Sequence, residues 1–227
     1  MQKYLYLTIL FCSVLVPFIF SFHKRLKFYL HFKSLGLGLA LMLLLFIPHD
    51  ILFTSLEIWG FNSNYVTGIY LFNLPIEECL FFICIPFCCL FTYHVVWTLS
   101  KNIEYQPMKT FCWSISFVLI VLGVLYKDRM YTSSTFIGLS IAMLIAPFFV
   151  NMKVFFKTYI ILLIPFFIVN GILTGSMIDG EVVWYDDTNN LSVRIFTIPI
   201  EDFFYGFFML LLVMIGYQKS LDNSKLI

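Results

Sequence analysis

Charge is scarce in this chain. Of its 227 residues, 12% are Asp, Glu, Lys or Arg, while 61% are hydrophobic and 20% aromatic. So little charge cannot solvate the surface of a separate water-soluble domain, and a mean hydropathy of +0.93 marks a polytopic membrane protein. The net charge of +1 leaves no basic excess for nucleic acid. No Cys-x-x-Cys pair stands with a second pair or a His at zinc spacing. The cysteines Cys12, Cys79, Cys84, Cys88, Cys89 and Cys112 all lie in apolar runs, where Cys behaves as a small hydrophobe. A Gly-x-Gly-x-x-Gly turn is also missing, which removes the usual dinucleotide cradle. The last apolar run has no lysine before Lys219 at its edge, so a retinal-type Schiff base is excluded. The first run follows Met1-Gln2-Lys3-Tyr4 without a small-residue cleavage site and reads as a span.

What the chain has is apolar length. A helix needs about 20 apolar residues to cross a bilayer. Seven candidate spans follow, at 3–22, 34–56, 74–99, 110–126, 135–151, 158–177 and 198–217, the fourth and fifth being shortest. Basic residues orient them. Lys24, Arg25, Lys27, Lys33, Lys101, Lys109, Lys153, Lys157, Lys219 and Lys225 fall on one side; Lys3, Lys127, Arg129 and Arg194 fall on the other. The N-terminus is therefore expected outside the cell membrane and the C-terminus in the cytoplasm.

The third and seventh spans open alike. Pro75-Ile76-Glu77-Glu78 heads one and Pro199-Ile200-Glu201-Asp202 the other. Proline suits the first helical position, whose N–H has no intrahelical partner, and carboxyls in the first turn complement the helix dipole. Capping beside water would account for one such motif. Two copies, each leading into a span, point instead to a site, because acids at the mouth of a hydrocarbon layer are costly. Other echoes keep the same order. Pro17-Phe18-Ile19-Phe20 resembles Pro147-Phe148-Phe149-Val150, Asp50-Ile51-Leu52-Phe53-Thr54 resembles Asn170-Gly171-Ile172-Leu173-Thr174, and Trp59 resembles Trp184. The expected fold is all-α: two three-span repeats, residues 1–100 and 131–227, joined by a linking span within 101–130. An odd linker keeps the repeats parallel, so both acid pairs lie at one depth and can face one cavity.

Adjacent helical residues stand about 100° apart, so at most one acid of each pair points squarely into the bundle. A buried carboxyl beside an ionised one suits general acid–base work on an apolar substrate. Arg194 lies five residues before Pro199, where the first repeat has Tyr70 before Pro75. Either it holds Glu201 and Asp202 ionised, leaving Glu77 or Glu78 as proton donor, or it sits in solvent. Asp50 and Asn170 line the cavity or cap the interface. Trp59 and Trp184 read first as interface anchors. Asp179, Glu181, Asp186 and Asp187 read as solvated, and His94 as a satisfied or interfacial histidine.

Paired Pro-x-Glu-(Glu/Asp) motifs within duplicated three-span halves resemble the integral-membrane lycopene cyclases, in the form that fuses both halves in one chain. Asn170-Gly171-Ile172-Leu173-Thr174 is similar to the segment before the second motif. The resemblance implies an isomerase that closes the ψ-end of lycopene, or a related linear carotenoid, to a β-ionone ring. Glu77, Glu78, Glu201 and Asp202 would be catalytic, supported by Pro75, Pro199, Asp50, Asn170 and Arg194. The reaction has no net redox change, so it implies no cofactor and no metal. The bilayer, and other carotenoid enzymes, are the implied partners.

A proton-coupled transporter of three-plus-one-plus-three design is the rival, with other carotenoid end-group enzymes a further alternative. Transport calls for polar residues at the midplane. Here the span centres are nearly all Leu, Ile and Phe, and polar groups crowd the outer ends.

Overall fold

The computed structural model describes residues 2–100 and 104–224, so Met1, Lys101 and Lys225 lie outside the described residues. Among the described residues, seven α-helices build the bundle: α1 Leu5–Ser21, α2 Phe32–Ser55, α3 Ile76–Leu99, α4 Lys109–Leu125, α5 Met130–Ile145, α6 Met152–Leu173 and α7 Ile200–Ser224. Among the described residues, six helical segments are long and apolar enough to span a membrane, α4 being shorter at 17 residues. The chain is an all-α, multi-pass membrane protein.

Two helices start earlier than the hydropathy suggests. α5 takes in the polar run Thr132-Ser133-Ser134-Thr135, and α6 begins at Met152. The polar run enters the bundle because it finds partners there; Thr132, for example, donates to Glu201. Asn151 caps α6 by accepting from the Val154 N–H.

Short extended segments connect helices at one end of the bundle. β1 Trp59–Phe61 pairs antiparallel with β4 Val183–Tyr185, placing Gly60 opposite Trp184. β2 Tyr70–Leu71 folds onto β3 Leu74–Pro75, and β5 Arg194–Ile195 onto β6 Ile198–Pro199. The two hairpins match in detail. Phe72 and Phe196 both take positive φ at the turn, and the Ile76 and Ile200 N–H groups reach back to the Ile69 and Val193 carbonyls. Pro75 and Pro199 are 124 positions apart, and at that spacing Gly60 is the counterpart of Trp184. The β1–β4 ladder thus crosses the pseudo-two-fold axis relating the halves. The expected match of Trp59 with Trp184 is off by one residue. The close fit of the Trp184 ring over Gly60 leaves no room for a Cβ there.

The helix packing follows the duplication. α1 lies along α3 as α5 lies along α7, and α2 lies along α7 as α6 lies along α3. The last two contacts differ. Gly38 and Gly216 let α2 and α7 approach backbone to backbone, the close contact that small residues permit between membrane helices. α6 and α3 touch far less, and space remains between them. α4 packs on α5 outside the paired repeats. The main core gathers Phe46, Phe82, Leu139, Met143, Leu211 and Val213 around α7.

Candidate active site

The hairpins deliver both acidic motifs to the same end of the bundle. Pro75, at φ −62° and ψ 147°, turns the chain from β3 into α3. All four acids that follow the two prolines are buried. Within each pair they part company, as 100° spacing requires. Glu77 turns back to the loop and accepts the Thr67 N–H at 2.7 Å. Glu201 likewise accepts the Leu191 N–H at 2.7 Å and the Thr132 hydroxyl. These two carboxyls brace equivalent loops.

Glu78 and Asp202 point the other way and line one cavity of about 270 Å³. The Tyr6 hydroxyl donates to Glu78 Oε2 at 2.6 Å. The Tyr131 hydroxyl donates to Asp202 Oδ1, also at 2.6 Å. Asp202 has two further donors at Oδ2: Asn170 Nδ2 at 2.7 Å and the Tyr185 hydroxyl at 3.0 Å. Burial, and then the nearby Asp202, hold the Tyr185 phenol well above its ordinary range, so it donates as a neutral group. Asp50, the repeat counterpart of Asn170, lines the same cavity and accepts the Trp59 indole N–H at 2.8 Å.

Trp59 is therefore buried in the site and is not the interface anchor expected of it. Its ring meets Tyr131 and Tyr205 edge-on at 5.1 and 6.1 Å. Tyr185 stacks on Tyr131 at 5.9 Å. Trp59, Tyr131, Tyr185 and Tyr205 thus join Tyr6 around the acids.

Of the two readings left open for Arg194, the geometry fits the one away from the acids. Arg194 forms an ion pair with Asp187 at 2.7 Å and donates to the Thr197 carbonyl, and it contacts neither Glu201 nor Asp202. The β5–β6 hairpin sets Arg194 opposite Pro199, on the loop side of the motif. Among the described residues, its link to the site is its guanidinium over the Tyr185 ring, 5.7 Å from the centroid. His94 is satisfied, with Nε2 at 2.7 Å from the Leu26 carbonyl.

Away from the acids the cavity becomes hydrocarbon. It runs between α3 and α6 past Phe81, Ile85, Leu162, Phe166 and Met209, with α1 along one side. Pro17 has no N–H for the Ser13 carbonyl, and Cys88 Sγ takes up that acceptor at 3.4 Å. Ser13, Pro17 and Cys88 are all part of this lining.

Tyr6, Tyr131, Tyr185 and Tyr205 were not picked out from the sequence. Tyr6 and Tyr131 carried a usable signal, standing 72 and 71 residues before the acids they address. Extending the repeat to the first turn of each half would have found both.

Fold and site together define a multi-pass membrane protein with buried carboxyls, one from each repeat, at the head of a greasy cleft. The lycopene cyclase family model matches residues 3–96 and 128–219, one segment in each half, leaving out α4. The chain belongs to the lycopene cyclase family. No curated protein and no solved structure matches it.

Proposed function

We propose that this chain is a lycopene β-cyclase, an isomerase that closes the ψ-ends of lycopene to β-ionone rings by acid–base chemistry. The observation that carries this reading is the single cavity shared by Glu78 and Asp202 and continued by hydrocarbon walls. A linear carotenoid is about as long as the bilayer is thick, and its end can reach the acids by sliding in from lipid.

The two carboxyls have unequal surroundings, which assigns them roles. Asp202 receives three neutral donors, the arrangement that suits an ionised carboxylate. Glu78 receives one donor and shares the cavity with Asp50, and among the described residues no cation pairs with it. In this reading Glu78 carries the proton and adds it to the terminal double bond. The next double bond attacks the cation, a carbon–carbon bond closes the ring, and Asp202 takes a ring proton to leave the new double bond. No electron is gained or lost overall. The faces of Trp59, Tyr131, Tyr185 and Tyr205 stabilise the passing cation, and burial keeps water from trapping it. Asp50 and Asn170 orient the acids, while Pro75 and Pro199 fix the entry of their helices.

We read residues 1–100 and 131–227 as the duplicated halves and 101–130 as their connection. α1 begins at the end of the bundle that holds the acids, and α7 runs from that end to the other. Lys24, Arg25, Lys27, Lys33, Lys109, Lys153, Lys157 and Lys219 cluster at the second end, which supports a cytoplasmic C-terminus and an outer active site.

Expression in a host that accumulates lycopene, followed by pigment chromatography, tests the reading. Cyclic carotenes are expected from the native chain and unchanged lycopene from Glu78→Gln. Unchanged lycopene from the native chain, with the protein present in the membrane, would count against it.

A further inference from the structure

A second cavity of about 140 Å³ lies between α2, α5 and α7. The two-fold relation between repeats makes it the counterpart of the corner where the main cleft runs between α6, α1 and α3. Its wall includes His49, Ser134, Thr135 and Tyr205 together with Phe46 and Phe208. At the spacings that match Asp50 with Asn170, Tyr6 with Tyr131 and Pro75 with Pro199, the four polar residues correspond to Val169, Ile9, Leu10 and Phe81. One copy of the corner is apolar, and the other carries a polar group at each of those positions.

Those polar groups are incompletely used by the protein. His49 Nε2 lies 3.3 Å from Ser134 Oγ. His49 Nδ1, Thr135 Oγ1 and the Tyr205 hydroxyl are buried and have no hydrogen-bond partner among the described residues. Three such groups around one cavity would each be costly unless solvated, and a buried water needs two to four polar partners and a space this cavity provides. Tyr205 lines both cavities. On the active-site side it shares the cleft with Asp50, Glu78 and Asp202. Its ring is 6.0 Å from His49 on the other.

We propose that the second cavity is a water-filled proton-exchange site, with His49, Ser134 and Thr135 holding the water and Tyr205 connecting it to the active-site carboxyls. The inference rests on the cyclase reading, whose chemistry leaves the donor acid deprotonated and the base protonated after each ring closes. The relay returns the enzyme to its starting state: one proton leaves Asp202, one arrives at Glu78, and no electron moves. Duplication has given one groove to the polyene and the other to protons. Tyr205 is a positioning residue for this step and the gate between the two.

Two measurements on the reconstituted full chain test it. Radiolytic footprinting in oxygen-18 water reads bound water beside a side chain and needs no turnover. Tyr205 and His49 are expected to be labelled several-fold more than Phe81, with the excess lost in a His49→Val, Thr135→Val variant. Labelling of Tyr205 no greater than that of Phe81 overturns the proposal. In the second arm lycopene is cyclised in deuterium oxide and deuterium in the product rings is read by mass spectrometry. Deuterium is expected in the rings made by the native chain and less of it in those made by Tyr205→Phe, with His49→Asn retaining more than His49→Val. A fall in turnover with ring deuterium unchanged assigns Tyr205 a packing role and overturns the relay. Absence of any cyclic product from the native chain removes the cyclase reading and the relay with it, while the footprint still reports whether the cavity holds water.

Discussion

The Tyr6 hydroxyl stands 2.6 Å from Glu78 Oε2, joining the first turn of α1 to the first turn of α3. The same bond recurs between Tyr131 and Asp202. The repeats thus build one tyrosine–carboxyl unit twice, and the neighbours of each unit make them unequal. Tyr6→Phe removes the hydroxyl donor to Glu78, whereas Tyr131→Phe leaves Asp202 two donors. Loss of a hydrogen bond to a buried acid costs about 1–3 kcal/mol. Cyclisation is expected to fall about tenfold or more in Tyr6→Phe and less in Tyr131→Phe, measured as rings formed per unit of membrane protein.

Within each motif the two acids are expected to fail differently. Glu78→Gln and Asp202→Asn each remove a proton-transfer group, worth about 10²–10⁴-fold in rate, and the folded protein should persist. Glu77→Ala instead strips the acceptor from the Thr67 N–H, at a cost of about 1–3 kcal/mol in stability. Thermal unfolding in detergent and cyclisation assays, run side by side, separate these outcomes. Equal loss of activity with unchanged stability in all three variants would contradict the division of labour.

Arg194→Ala is expected to keep cyclisation within about twofold. The guanidinium pairs with Asp187 at the loop surface, and an exposed ion pair contributes about 0–1 kcal/mol. The contact over Tyr185 is the one route by which the site would feel the change. A loss approaching that of Glu78→Gln would restore Arg194 to a direct role.

The membrane bundle, the duplication and the acidic motifs were legible because each has a strong local signature. Apolar length marks a span, and Pro-Ile-acid-acid is a rare string. The partners of the acids were not legible, since they come from other helices and from loops. Tyr185 reaches Asp202 only because β4 pairs with β1 across the molecular axis. For the same reason the sequence left Arg194 between an ion pair with the acids and a place in solvent; the hairpin carries its side chain to the loop side. Thr132 read as loop, ahead of the span expected from residue 135, because polar residues weaken a hydropathy window, whereas its hydroxyl is enclosed within the bundle.

The last expectation concerns why the two equivalent helix pairs differ. Gly216 sits against Gly38, where an added Cβ would lie 2.8 Å from the Gly38 Cα, and a Cβ on Gly38 would lie 2.5 Å from the Val213 carbonyl oxygen. Neither clash is with the free end of a side chain, so the helices must part to relieve it. Gly38→Leu is therefore expected to destabilise the fold by about 1–3 kcal/mol or more. Separating α2 from α7 would also shift Asp50 relative to Asp202, because both lie near the same end of this helix pair. Activity should fall along with the melting temperature in detergent. Gly36→Leu is the control, since a Cβ there meets nothing within 4 Å, and it should leave both close to native. If Gly38→Leu and Gly36→Leu behave alike, the close glycine contact does not hold α2 against α7, and another cause is needed for the closed side of the bundle.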